Sequence, residues 1–168
     1  GGVLDQYDRE SRVFIHYRHD PKDPHSLGEG WVNAIYEDRL GRLWIGMGGG
    51  ALQKLDGSTG RFTHYENDPK NVASLSYNSV HSICEDKDGT LWIGTGGGLD
   101  KLDRATEAFT HYTEKDGLAS NNIGGILADS HGFLWLNTGK GGSKFDTRTK
   151  TFRNYDASDG VKIQQCWW

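Results

Sequence analysis

Residues 85–112 read EDKDGTLWIGTGGGLDKLDRATEAFTHY, and the chain nearly repeats this stretch twice more. Residues 37–65 read EDRLGRLWIGMGGGALQKLDGSTGRFTHY, and residues 128–155 read ADSHGFLWLNTGKGGSKFDTRTKTFRNY. The tryptophans of the three stretches, Trp44, Trp92 and Trp135, stand 48 and then 43 residues apart. A period of that size, built of short apolar runs and glycine turns, is the pattern of a β-propeller blade. One such unit cannot cover its own apolar faces, so units must stack side by side.

The middle unit predicts four strands. SVHSICE (79–85) alternates as a first strand, and Asp86 to Gly89 is a turn with Gly89 free to take positive φ. LWIG (91–94) is a second strand, Thr95 to Gly98 a glycine loop, and Leu99 to Leu102 a third strand. Asp103 to Thr106 turns the chain into FTHY (109–112), the outermost strand. The same register gives full blades over 31–65, 79–112 and 122–155. Residues 1–17 match only the third and fourth strands of a unit, and 161–168 match the start of a further first strand. The expected fold is all-β: a single partial propeller domain over 1–168, an arc of four-stranded antiparallel blades. Propellers close with at least about four blades.

Composition agrees. Hydrophobic residues make up 35 % of the 168, so the apolar load falls on aromatic side chains. With 24 glycines and 3 prolines the chain suits tight turns rather than long helices. The net charge of −4 lacks any basic stripe, which argues against a nucleic-acid partner. No run of about 18 apolar residues spans a membrane. The opening GGVLDQYDRE has no apolar core, so no signal peptide is expected within it. Cys84 stands in phase with Tyr36 and Leu127 and reads as a small buried hydrophobe.

The turn-strand EDxxGxLWIG, the glycine loop, the LD turn and the F-HY strand recur in order. With FTHYENDPKNVASL and FIHYRHDPKDPHSL, they resemble the two-component regulator propeller repeat over nearly the whole chain. That resemblance implies a sensor region of hybrid two-component system proteins, periplasmic or extracellular, often recognising carbohydrate fragments. It supplies no ligand residues, because the family motif residues are structural.

Other motifs weigh less. Gly46 to Ala51 fits GxGxxA, but a strand rather than a helix should follow, so no dinucleotide is expected. Asp86 to Gly89 is too short for a calcium loop, and Asp86 is expected to cap its turn. His16, His64 and His111 are expected to be solvated residues on the outer edge strand. The three tryptophans are expected to pack between blades rather than to hold sugar. No catalytic triad, zinc motif, metal site or cofactor is predicted.

Function in a propeller sits on variable loops held by a rigid scaffold. The fourth-to-first-strand connections and the glycine loops emerge on one face. Their inner ends carry Glu29, Trp31, Asn33, Tyr77, Asn78, His81, Asn121 and Asn122. Aromatic rings can cover the C–H faces of a sugar and amides can pair with its hydroxyls. The same asparagines could equally anchor loops. The leading expectation is a ligand-binding sensor propeller with a carbohydrate or similar polar ligand, not an enzyme. The alternatives are an assembly module and a carbohydrate-active lyase or hydrolase. Val13, Phe14 and Ile15 at one end, and Ile163, Trp167 and Trp168 at the other, suggest uncapped faces. A homo-oligomer, or the remainder of a longer propeller, is therefore the expected partner.

Overall fold

A computed structural model describes residues 2–160. The further first strand expected over 161–168, with Ile163, Trp167 and Trp168, lies outside the described residues. A hairpin of β1 (Val3–Asp8) and β2 (Val13–Arg18) comes first. Three four-stranded antiparallel sheets follow in sequential strand order. The first blade is β3 (Trp31–Glu37), β4 (Leu43–Gly48), β5 (Leu52–Asp56) and β6 (Arg61–Tyr65). The second is β7 (Val80–Glu85), β8 (Leu91–Thr95), β9 (Leu99–Leu102) and β10 (Phe109–Tyr112). The third is β11 (Ile123–Ala128), β12 (Phe133–Thr138), β13 (Gly141–Asp146) and β14 (Thr151–Tyr155). The inner strand β7 packs between β3 and β11, so the blades stack as expected for a propeller.

An Asp–Trp clasp explains the fixed spacing of the repeat. In the second blade, Asp86 Oδ1 accepts the main-chain N–H groups of Asp88 and Thr90, both at 2.9 Å. Its Oδ2 accepts the indole N–H of Trp92 at 2.7 Å. Asp38 does the same for Leu40, Arg42 and Trp44, and Asp129 for His131, Phe133 and Trp135. One carboxylate thus closes the turn and fixes the ring six residues on. Gly41, Gly89 and Gly132 take φ of 73°, 85° and 90° in these turns, a region that a side chain disfavours.

The held ring fills the space between blades. Trp44 joins Ile83, Leu91, Leu102 and Phe109 of the second blade in one core. Trp92 joins Leu134, Leu136 and Phe145 of the third, with ring centroids of Trp92 and Phe145 5.4 Å apart. Both tryptophans are 1 % exposed. Trp135 holds the equivalent place on the third blade yet is 40 % exposed. Its ring faces away from the second blade, and no further blade covers it among the described residues. It stacks on Tyr155 instead, at 6.0 Å. At the other end, Val13, Phe14 and Ile15 are exposed on the hairpin.

Charged groups add a second link between the first two blades. Arg39 reaches Glu85 at 3.0 Å, and Arg104 reaches Glu85 at 3.0 Å and Asp38 at 3.3 Å. The equivalent positions of the third blade carry Thr147 and Ala128, so this ionic network belongs to one joint alone among the described blades. Asp38 is buried. Desolvation would raise its pKa, but the Trp44 and Arg42 hydrogen bonds outweigh this and hold it at about 2.

The expectation of solvated edge histidines is corrected for two of the three, His64 and His111. His16 is exposed, but it already pairs with Asp5 at 2.7 Å. His64 and His111 are half-buried, because the incoming loop folds back along the outer strands and covers them. His64 Nε2 lies 3.1 Å from Ser26 O, and His111 Nε2 lies 3.0 Å from Val72 O.

Two tests follow from the clasp. Trp92→Ala should cost about 3–5 kcal/mol in urea unfolding, because it empties the joint between two blades. Trp135→Ala should cost clearly less. The depressed Asp38 pKa gives stability that is present above the ordinary aspartate range and lost as pH falls toward about 2. Asp38→Asn should flatten that acid limb of a Tm-against-pH curve.

Candidate functional site

The loop face is built by polar groups that repeat in register. A buried third-strand side chain catches the main chain of each incoming loop. Gln53 Oε1 accepts from Gly28 N at 3.0 Å, Asp100 Oδ2 from Ser76 N at 2.8 Å, and Ser143 Oγ from Ala119 N at 3.3 Å. The fourth-strand partners of these residues are His64, His111 and Asn154. Each of them bonds a loop carbonyl, that of Ser26, Val72 or Gly117. Neither set of clamps was assigned from sequence. Their signal was there, as a polar residue alternating with leucine or phenylalanine in every third strand.

Nearer the axis the first strands carry a bulge. Register shifts fall between Val32 and Ala34, Val80 and Ser82, and Ile123 and Gly125. The extra residues are Asn33, His81 and Gly124. A bulge re-aims a side chain, and here it aims one at the next blade. Asn33 Nδ2 donates to Val80 O at 3.0 Å, and His81 Nδ1 lies 2.9 Å from Ile123 O. The second ring nitrogen of His81 meets Ser79 Oγ at 3.0 Å. Asn33 and His81 therefore form a belt along the inner edge.

The other predicted site residues divide into two groups. Asn78 Oδ1 accepts from Asn67 N at 2.7 Å, and Asn121 Oδ1 accepts from Glu114 N at 2.8 Å. These two amides hold their own loops. Asn122 is exposed, with its carbonyl accepting Gly139 N at 3.0 Å. Glu29 is exposed as well. Trp31 and Tyr77 stand out at 73 % and 54 % exposed. Tyr77 lies across the glycine loop of its own blade, where a Cβ on Gly96 would come within 3.0 Å of its ring. Trp31, Tyr77, Glu29 and Asn122 are thus exposed, whereas Asn33, Asn78, His81 and Asn121 bond the scaffold.

The remaining chemistry is quiet. The Cys84 thiol is buried, and burial with the Asp86 and Glu85 charges pushes it up to about 12, far from a reactive thiolate. Asp56, Asp103 and Asp146 accept main-chain N–H groups within their own turns. A cavity of about 450 Å³ opens on the opposite, turn face, beside Lys87, His131, Asp146 and Arg148. No helix among the described residues is long and apolar enough to cross a membrane.

Comparison with known proteins follows the same repeat. A family profile described as two component regulator propeller matches residues 26–49, 74–97 and 117–140. No curated protein sequence matches the chain. Among solved structures, an extracellular domain assigned to the hybrid two component system BT3049 from B. thetaiotaomicron is 30 % identical, with a TM-score of 0.74. That match covers 89 % of this chain and 20 % of the other. An extracellular domain assigned to the one component system BT4673 from B. thetaiotaomicron is 26 % identical, with a TM-score of 0.78, covering 97 % and 23 %. PorZ of Porphyromonas gingivalis, at 21 % identity and a TM-score of 0.64 over 86 % of this chain and 22 % of that one, shares the fold. The chain thus spans about a fifth of the length of these three solved structures. Each matched segment runs from an incoming loop through the Asp–Trp clasp to the glycine loop, so the repeated unit of this chain is the two-component regulator propeller repeat.

Proposed function

We propose that the chain forms part of the extracytoplasmic sensor of a two-component signalling protein and that its loop face holds a carbohydrate or a similarly polar ligand. The observation that carries this reading is the exposure of two aromatic rings on held backbone: Trp31 at the start of β3, and Tyr77 one residue after the clamped Ser76. Exposed aromatic rings on rigid supports suit the C–H faces of a pyranose, and nearby amides suit its hydroxyls. The extracellular assignment of the two B. thetaiotaomicron domains supports the location. A binding role rather than a catalytic one fits a chain whose described thiol is inert and whose repeated carboxylates are bound up in turns.

A second reading, assembly through blade faces, is favoured by one equivalence. Tyr7 and Phe14 occupy the places of Leu55 and Phe62, of Leu102 and Phe109, and of Phe145 and Phe152. In the second and third blades these pairs meet the previous tryptophan face. The exposed Tyr7–Phe14 pair and the exposed Trp135 face are therefore two halves of the joint that holds the blades together. A further blade, of the same polypeptide or of a second copy, fits either half.

Isothermal titration against a panel of oligosaccharides tests the binding reading. Trp31→Ala and Tyr77→Ala should each weaken binding by about 1.5–3 kcal/mol, roughly 10- to 100-fold, with Tm unchanged. Saccharide binding that survives both changes would place the site elsewhere.

A further inference from the structure

We propose that Asp100 and His111 act as a proton-dependent latch on the loop over residues 66–78, the loop that carries Tyr77. The case rests on which atoms surround the imidazole. His111 Nδ1 lies 2.8 Å from Asp100 Oδ1, and its Nε2 lies 3.0 Å from Val72 O. A carboxylate and a carbonyl can only accept hydrogen bonds. A neutral imidazole has one N–H and serves one of them, leaving a lone pair against the other. The imidazolium serves both. The closed arrangement therefore holds one more proton than a neutral histidine beside an ionised aspartate can supply.

The latch sits directly on the loop. Asp100 Oδ2 accepts Ser76 N at 2.8 Å, one residue before Tyr77. Phe109 N donates to Ala73 O at 2.8 Å, which sets the loop against β10. The Asp100 side chain is fully buried and that of His111 is 26 % exposed, so the imidazole lies at the boundary between the carboxylate and solvent. The charged group facing His111 from β9 is Asp100. The loop meets it with main-chain groups of Val72 and Ser74. The loop's own charged side chains, Glu66, Asp68 and Lys70, are exposed, and Asp68 Oδ1 accepts Lys70 N at 2.9 Å. On β10 the next ring, Tyr112, stacks toward Phe145 of the third blade.

The sister blades show what is specific here. Gln53 donates to Gly50 O and accepts from Gly28 N, leaving His64 with its single contact to Ser26 O. In the third blade Ser143 donates to Asn154, whose amide donates to Gly117 O. Both clamps are complete with neutral groups. Among the three described blades, only the second flanks a histidine with two acceptors. The Asp100 hydrogen bond raises the His111 pKa against the opposing effect of burial. A raised folded value means that the latch contributes fully below the ordinary histidine range, near about 6.5, and is lost as pH rises through the raised value.

The ligand consequence rests on reading Tyr77 as a contact; the latch itself does not. Proton and amide NMR of the full chain, titrated from about pH 5.5 to about pH 9, tests it without any ligand. The His111 ring should titrate above the ordinary histidine range, and the amides of Ala73 to Ser76 should move on the same curve. His111→Gln should abolish that loop titration, while His64→Gln should leave it intact. A His111 ring titrating at or below the ordinary value, loop amides that stay still, or a loop that still titrates in His111→Gln would overturn the latch. The wild-type titration decides even if a variant does not fold. A titrating loop on a chain that binds no saccharide keeps the latch and removes only the ligand role. Saccharide binding with a silent loop does the reverse.

Discussion

Each blade depends on a carboxylate that does two jobs. One oxygen closes a tight turn by accepting two main-chain N–H groups, and the other fixes the indole six residues later. A hydrogen bond to an ionised group contributes about 1.5–3 kcal/mol, more than a neutral one. Its larger effect is geometric. The indole must be held in one orientation between blades if Phe145, Leu134 and Leu136 are to close around Trp92. A ring free to rotate would leave an uneven surface and the next sheet would not seat. The clasp therefore turns a local loop preference into a rule for stacking sheets. Trp135 shows the other side of the rule, since its clasp is complete while its ring remains open.

Two further polar systems finish the stack, and both tolerate variation. The bulge residues Asn33 and His81 tie adjacent inner strands through a side chain that reaches a neighbouring carbonyl. Gly124 holds the same position without a side chain to reach onward. The loop clamps likewise accept Gln53, Asp100 or Ser143 at one place and His64, His111 or Asn154 at the other. What is held constant is the accounting of donors and acceptors, since each buried loop N–H must find a partner. Within that constraint one blade can be given a group that titrates. The joint between the first and second blades also carries an ionic network around Arg104 that the next joint lacks. The blades are equivalent in outline and distinct in their charged contacts.

The sequence by itself determined the blade. Strand order, the turns at Asp86–Gly89 and Asp103–Thr106, the glycine loop and the outer FTHY strand were all legible, because they depend on contacts a few residues apart. The cap at Asp86 was legible for the same reason, whereas Cys84 is buried because the third blade packs against it, and Leu127 in the same phase is exposed. The tertiary structure decided what depends on the neighbouring blade. It placed Trp44 and Trp92 in closed joints and Trp135 on an open one, although the three local sequences are alike. It moved His64 and His111 from an expected wet edge to loop clamps, because a loop thirty-odd residues away in sequence folds back over them. It engaged Asn33, Asn78, His81 and Asn121 in bonds that hold the scaffold, and left Trp31 and Tyr77 open. A residue's type states what it can bond. Which partner it meets is set only when the sheets are stacked, and that separates the anchors of this face from the surface it presents.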